Sequence, residues 1–221
     1  MSDAQTTPRS VIEAVAQAIE ANASHLSELD AAGGDGDHGV SLVTAARAVL
    51  AALDAEMPAD YGALLNRIAT SIITAVGAAM GPLYGTALMR AGKTVAGQTN
   101  IDAPIVASML EAAVEGIKTR GKAQVGDKTM LDALVPAAIA ARSAADSGQD
   151  VAATLNAAAD AAERGAQATR DMVARKGRAS RLGDRTLGYQ DAGATSTALI
   201  LRTLALQIDS KGSQTSAEFA I

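Results

Sequence analysis

Apolar residues recur along this chain at spacings of three and four, with polar residues between them, over most of its length. That period predicts α-helices, and no stretch reads convincingly as a strand. About eight helices are expected. The first opens at Thr7-Pro8, a capping residue followed by the proline that suits a first helical turn. It carries Val11, Ile12, Val15 and Ile19 on one face, and a short extension through His25-Leu26 leads into a glycine-spaced loop. The second helix runs from about His38 to Leu53. The third starts near Asp60, a good N-cap, with Leu64, Leu65, Ile68, Ile72 and Val76 in register. A glycine-rich joint, Val76-Gly-Ala-Ala-Met-Gly-Pro82, separates it from a fourth carrying Leu83, Leu88 and Val95.

The fifth helix covers about Asp102 to Arg120, and the sixth opens near Lys128-Thr129 and ends near Asp146-Ser-Gly148. An alanine-rich seventh is expected from about Asp150 to Arg175. The eighth, Ala194 to Ile208, is apolar almost all round in Ala198-Leu-Ile-Leu201, which predicts a central position. Connections are short, with one exception, and no linker divides the chain. The pattern therefore predicts a single all-α domain of packed antiparallel helices over residues 8–209, with flexible termini at 1–7 and 210–221.

Composition narrows this picture. The 221 residues are 48% hydrophobic but only 2% aromatic, with no Trp and a single Phe219, so the core must be built from Ala, Leu, Ile, Val and Met. A net charge of −5, without a basic stripe interleaved with aromatics, argues against a nucleic-acid surface. The absence of cysteine excludes disulfides, thiol nucleophiles and zinc–thiolate sites. The start shows no basic region followed by an apolar run, and no uninterrupted apolar stretch reaches the roughly 18 residues of a membrane span. A cytoplasmic protein without membrane partners is the expectation.

Candidate chemistry sits in two loops. Asp30, Asp35 and Asp37 lie in Asp30-Ala-Ala-Gly-Gly-Asp-Gly-Asp-His-Gly39, and no Lys or Arg occurs between Arg9 and Arg47. Carboxylates that close repel unless a cation sits among them, and Mg²⁺ is often held by a few carboxylates plus phosphate. The same spacing also suits a solvated acidic turn. The second loop, Gly177 to Gly193, is the long connection, with Arg178, Arg181 and Arg185 among glycines. That composition suits phosphate gripping, or a mobile surface loop with solvated charges. Two other motifs fail. Gly92-Lys93-Thr94 lacks the P-loop glycine, position 87 being Ala, and an EF-hand from Asp35 would need an acid near Ala46. His25 reads as a helix-face residue.

Four segments taken together are more specific. They are Gly-Gly-Asp-Gly-Asp-His-Gly at 33–39, Gly-Pro-Leu-Tyr-Gly-Thr at 81–86, Gly-Asp-Lys-Thr-Met-Leu-Asp-Ala-Leu at 126–134, and Gly-Arg-Ala-Ser…Gln-Asp-Ala-Gly-Ala-Thr-Ser at 177–196. In order and spacing they resemble the nucleotide-binding L subunit of dihydroxyacetone kinase, a unit that also forms the C-terminal domain of single-chain dihydroxyacetone kinases. The resemblance runs from about residue 8 to residue 208. It implies a barrel of eight antiparallel helices with the nucleotide, ADP or ATP, held by the loops at one end. It further implies that Asp30, Asp35 and Asp37 hold two Mg²⁺ ions bridging to the phosphates.

Other positions follow from the same resemblance. His38, Gly39, Val40 and Ser41 open a helix whose N–H groups and dipole should face phosphate, or serve as ordinary capping positions. Ala79 and Met80 fall in the joint that approaches the phosphates. Gly121 and Met130 match positions near base and ribose. Arg178 matches a phosphate-gripping arginine, and Asp191, Ala192 and Gly193 match the loop that closes over the nucleotide. Three residues depart from the family pattern: Met80 where Ser or Thr is usual, Ala192 for Pro, and Tyr189 for His. The implied activity is phosphoryl transfer to dihydroxyacetone or a related keto-sugar held by a separate K subunit, since the chain shows no second domain. An M subunit of the phosphoenolpyruvate phosphotransferase system recharges the nucleotide in one branch of the family, and ATP exchanges in the other. The alternatives are an ADP-loaded regulatory module acting on a transcription factor and a degenerate non-catalytic member.

Overall fold

The structure, a computed structural model, describes residues 7–77 and 79–209. Among them are eight α-helices: α1 (Pro8–Ala31), α2 (His38–Ala55), α3 (Tyr61–Ala75), α4 (Met80–Thr94), α5 (Ala103–Gly121), α6 (Leu131–Asp146), α7 (Val151–Ala168) and α8 (Ala192–Asp209). No strand occurs among the described residues. Each helix packs on the next in sequence, and α8 returns to pack on α1, so the eight close into a ring. The all-α, single-domain expectation holds.

Caps explain where the odd helices begin. Thr7 accepts from the Ser10 N–H in a capping box, with Pro8 in the first turn. Asp60, Asp102 and Asp150 accept from the N–H groups of Ala63, Ile105 and Ala153 at the starts of α3, α5 and α7. Thr7 therefore belongs to the fold rather than to a flexible tail. The expected flexibility of the remaining termini, 1–6 and 210–221, lies outside the described residues.

Three boundaries differ from the sequence reading. Helix α6 starts at Leu131, because Gly126 (φ +92°) and Lys128 (φ +61°) hold a left-handed turn that cannot be helical. Helix α7 ends at Ala168 in a short 3₁₀ turn, Thr169–Asp171, instead of running to Arg175. The 177–193 connection carries a 3₁₀ segment, Arg178–Thr186, broken at Gly183. Nor is α8 central. It is a wall of the ring, apolar on several sides because α7, α1 and α6 all pack on it, while Leu206 remains exposed.

Alanine dominates the buried set, with Leu26, Ile117 and Leu131 the largest fully buried aliphatic side chains. Small residues bring helix backbones together; a Cβ on Gly165 of α7 would lie 2.1 Å from the Asp132 carbonyl oxygen of α6. The same scarcity of large side chains leaves a cavity of about 1030 Å³ inside the ring, lined by residues such as Val15, Ile68, Leu88, Leu134 and Leu204. Helix α2 is, by length and composition alone, apolar enough to cross a membrane. Arg47 and Asp54 interrupt its apolar run, and Leu42, Ala45, Val49 and Leu53 are buried within the protein.

Candidate functional site

An up-and-down ring puts the C-termini of α1, α3, α5 and α7 at the same end as the N-termini of α2, α4, α6 and α8. Every candidate ligand-binding residue named from the sequence falls at or beside this end. Asp30 is in the last turn of α1, Asp37 is the N-cap of α2, and His38 to Ser41 form its first turn. Ala79 and Met80 open α4, Gly121 closes α5, and Met130 opens α6. Arg178 leads the 3₁₀ segment between α7 and α8, and Asp191 to Gly193 open α8.

The three aspartates converge. Each offers a carboxylate oxygen, and these lie within 4.8 Å of one another. Asp30 organises the loop: its carbonyl accepts from Gly33 and Gly34, and its Oδ2 accepts from the Asp37 N–H at 3.0 Å. Gly36 supplies the left-handed turn, with φ +74°. Asp37 makes no side-chain cap bond to α2, so its carboxylate is free for another ligand. Clustered hard oxygens with one carboxylate uncommitted fit a Mg²⁺-type donor set.

The cluster does have a cation. No Lys or Arg is near it in sequence, but the Arg178 guanidinium forms an ion pair with Asp35, reaching in from the α7–α8 loop. The loop seats closely here, since a Cβ on Gly33 would lie 2.9 Å from the Ala179 Cβ. Both partners are about half exposed, so the pair positions the loop more than it stabilises the fold.

Helix starts at the two ends of the ring differ. All four at the far end carry the side-chain caps described above. At the site end, α2 and α4 have no side-chain cap bond, whereas the Leu131 N–H of α6 donates to Thr129 Oγ1 at 3.2 Å and the Ala194 N–H of α8 donates to Asp191 Oδ2 at 2.7 Å. Uncapped first turns leave N–H donors and positive dipole ends for an anionic ligand.

The predicted residues divide between solvent-facing and core-facing positions. Val40 is 64% exposed, whereas Gly39 is buried against α1. The Met80 side chain packs with Ile19, Leu26 and Leu42, so it fills the core beneath the α4 start. Met130 is buried, close to Gly193. Gly121 sits against Leu83 of α4. Asp191 lies within electrostatic range of Asp30; burial first, then repulsion from Asp132 and Asp30, lifts its carboxyl to about 7 against the Ala194 N–H and Lys128.

His38 turns inward. Its Nε2 lies 2.9 Å from Ser196 Oγ, which lies 2.8 Å from the Tyr84 hydroxyl. With Ser196 donating to the Ala192 carbonyl at 2.9 Å, its oxygen accepts from both Tyr84 O–H and His38 Nε2–H, satisfying all three groups. Burial pulls His38 below its ordinary value, opposed by Asp30 and Asp37. Tyr84, Ser196, Lys128 and Asp132 carry no sequence signal for the roles they take here. All four stand inside the quoted segments, but only proximity in three dimensions reveals their bonds.

Fold and site together define an all-helical domain whose loop end gathers an acidic cluster, an arginine-bearing loop and two uncapped helix starts. The sequence over residues 32–206 matches the DAK2 domain, and the chain belongs to that family. It is 35% identical over 182 residues to the ADP-binding subunit DhaL of the PEP-dependent dihydroxyacetone kinase of Escherichia coli, covering 82% of this chain and 87% of that one. The native crystal structure of the dihydroxyacetone kinase of C. freundii superposes with a TM-score of 0.70 at 26% identity. Its complex with AMP-PNP and Mg²⁺ gives 0.66. The match covers 93% of this chain but only 36% of the C. freundii chain.

Proposed function

We propose that this chain is the nucleotide-binding part of a dihydroxyacetone-type kinase, carrying a phosphoryl group from a Mg²⁺-bound nucleotide to a short keto-sugar held by a K-type subunit. The observation that carries the reading is the difference between the two ends of the ring. Uncapped helix starts, the aspartate cluster and the arginine loop all meet at one end. Phosphoryl transfer asks mainly for positioning and charge neutralisation, and this chain needs no nucleophile, because the attacking hydroxyl belongs to the sugar. Asp30, Asp35 and Asp37 would hold Mg²⁺, two ions by family resemblance, and the metal would neutralise phosphate charge. The first turn of α2 (His38, Gly39, Val40) and the start of α4 (Ala79, Met80) offer N–H groups to the phosphates, and Ser41, whose N–H bonds the Asp37 carbonyl, offers its hydroxyl. Arg178 would exchange Asp35 for a phosphate oxygen. Gly121, Met130 and Asp191 to Gly193 would bound the rest of the nucleotide.

Val40, Val125, Leu187 and Tyr189 are exposed apolar or aromatic residues in the loops and first turn at this end. That supports docking of this end against the sugar-holding partner and, in the recharging branch, against an M-type phosphohistidine subunit. The relatives' names support a kinase, and a net charge of −5 without a basic stripe argues against a nucleic-acid surface.

Native mass spectrometry with and without Mg²⁺ tests the reading. A mass increase matching ADP plus magnesium that survives gel filtration supports a retained, cofactor-like nucleotide. Reversible ATP binding on adding Mg²⁺ supports the exchanging type. Absence of nucleotide under both conditions would falsify the proposal.

A further inference from the structure

Lys128 is the buried lysine among the described residues, 6% exposed, and it stands in the left-handed backbone region at φ +61°. A non-glycine residue held there is unusual and points to a constraint from its surroundings. The constraint is visible. Asp132 accepts from the Gly126 N–H at 2.5 Å and the Thr129 N–H at 2.7 Å, which locks the turn carrying Lys128 at the start of α6. Asp127 Oδ2 accepts from the Gln124 N–H, and the Asp127 carbonyl accepts from the Arg175 N–H at 3.0 Å. The turn is thereby fixed to itself and to the α7–α8 loop.

From this platform the ammonium crosses into that loop. Nζ donates to the carbonyls of Met172 (3.2 Å), Tyr189 (2.7 Å) and Thr186. An ammonium has three donors, and all three are used. None of the acceptors is a carboxylate, so backbone dipoles rather than an ion pair hold the charge. Burial lowers the Lys128 pKa, while the nearby charges of Asp191 and Asp171 oppose that shift. The acceptors bracket Arg178, one before it and two after. A single side chain thus gathers both ends of the loop onto the α5–α6 connection.

We propose that Lys128 is a positioning residue that holds the 172–189 loop shut, and so keeps Arg178 over the aspartate cluster before any ligand arrives. The functional consequence rests on the nucleotide reading given above; the structural consequence does not. Lys128 needs no contact with nucleotide or metal, because it acts through the loop.

The test compares Lys128→Met and Lys128→Gln with Leu155→Ala, a core substitution in the first turns of α7 at the far end. Hydrogen exchange is followed across the whole chain, and ADP dissociation is followed in Mg²⁺. In the free wild-type chain, peptides from 172–189 should already be protected. Lys128→Met should raise exchange there roughly tenfold or more and speed ADP release by a similar factor, with α3 and α4 unchanged. Lys128→Gln, keeping an amide donor, should fall between, and Leu155→Ala should lower the Tm without either change. Unchanged loop exchange in Lys128→Met, or an equal change in Leu155→Ala, overturns the proposal. Should Lys128→Met not fold, Lys128→Gln and the wild-type protection decide, and an unprotected wild-type loop overturns it. A wild-type chain that binds no Mg²⁺–ADP defeats the nucleotide reading, while the exchange data still decide the role of Lys128.

Discussion

Gly39→Ala offers a direct test of how packing sets the site. Gly39 lies in the first turn of α2, against α1. An added Cβ would sit 1.9 Å from the Ala23 carbonyl oxygen, 2.8 Å from its carbon and 2.8 Å from Ser27 Oγ. Real Cβ atoms essentially never come closer than 3.0 Å, so α1 and α2 must separate by about 1 Å. Backbone cannot swing aside as a flexible side chain can, and overpacking of this kind costs about 1–3 kcal/mol. For a domain of this size that lowers the Tm by roughly 2–12 °C. The displacement falls at the site itself, because the 3.0 Å bond from the Asp37 N–H to Asp30 Oδ2 joins the same two helices. Mg²⁺-dependent ADP affinity should therefore fall along with the Tm, by roughly tenfold or more if that bond opens. Gly77→Ala is the control. It lies in the α3–α4 joint with nothing near its added Cβ and no positive φ, so its Tm should stay unchanged. Calorimetric melting and titration of both variants check this. A Gly39→Ala protein as stable and as tight-binding as wild type would refute the argument that α1–α2 contact positions the aspartates.

Asp37→Ala should abolish Mg²⁺-dependent nucleotide binding while stability changes by less than about 1 kcal/mol, because Asp37 makes no cap bond; titration calorimetry and circular dichroism read the two effects. Arg178→Ala should leave the Tm nearly unchanged, its ion pair being exposed, yet weaken nucleotide binding roughly tenfold, and equal affinity would remove Arg178 from the site. Asp191 gives a pH signature. Its folded value, about 7, lies above the ordinary carboxylate range, so its protonated form favours folding. That contribution is full below the ordinary range and is lost as pH rises through about 7. In metal-free buffer, wild-type stability should therefore decline relative to Asp191→Asn between about pH 4 and 8, and parallel stability profiles would contradict the buried-carboxyl account.

Much of the fold was legible because helix signals are local. Thr7, Asp60, Asp102 and Asp150 announce their helices through bonds to N–H groups three residues on. The Asp30–Asp37 cluster was legible for the same reason, since one short glycine-rich loop brings the carboxylates together. Boundaries failed where backbone conformation overrode composition. Lys128 is an ordinary helix former, yet the Asp132 bonds hold it left-handed, and nothing in the apolar period shows that. Helix α8 looked central because its apolar residues surround it, but a ring wall touched by three helices has the same composition.

The sequence by itself determined the helical class, most helix starts, an alanine-built core with few large side chains, and an acidic loop suited to a divalent cation. Only the tertiary structure decided what that loop meets. Ring closure between α8 and α1 brings Arg178 to Asp35, and joins His38 to Ser196 across 158 residues and Ser196 to Tyr84 across 112. Ring closure also places the uncapped starts of α2 and α4 at one end, opposite the capped starts of α1, α3, α5 and α7, although each start taken alone looks like an ordinary helix terminus. The physical reason is range: caps and periodicity act within a turn or two of helix, whereas a site assembled from four interhelical connections depends on how the whole ring packs.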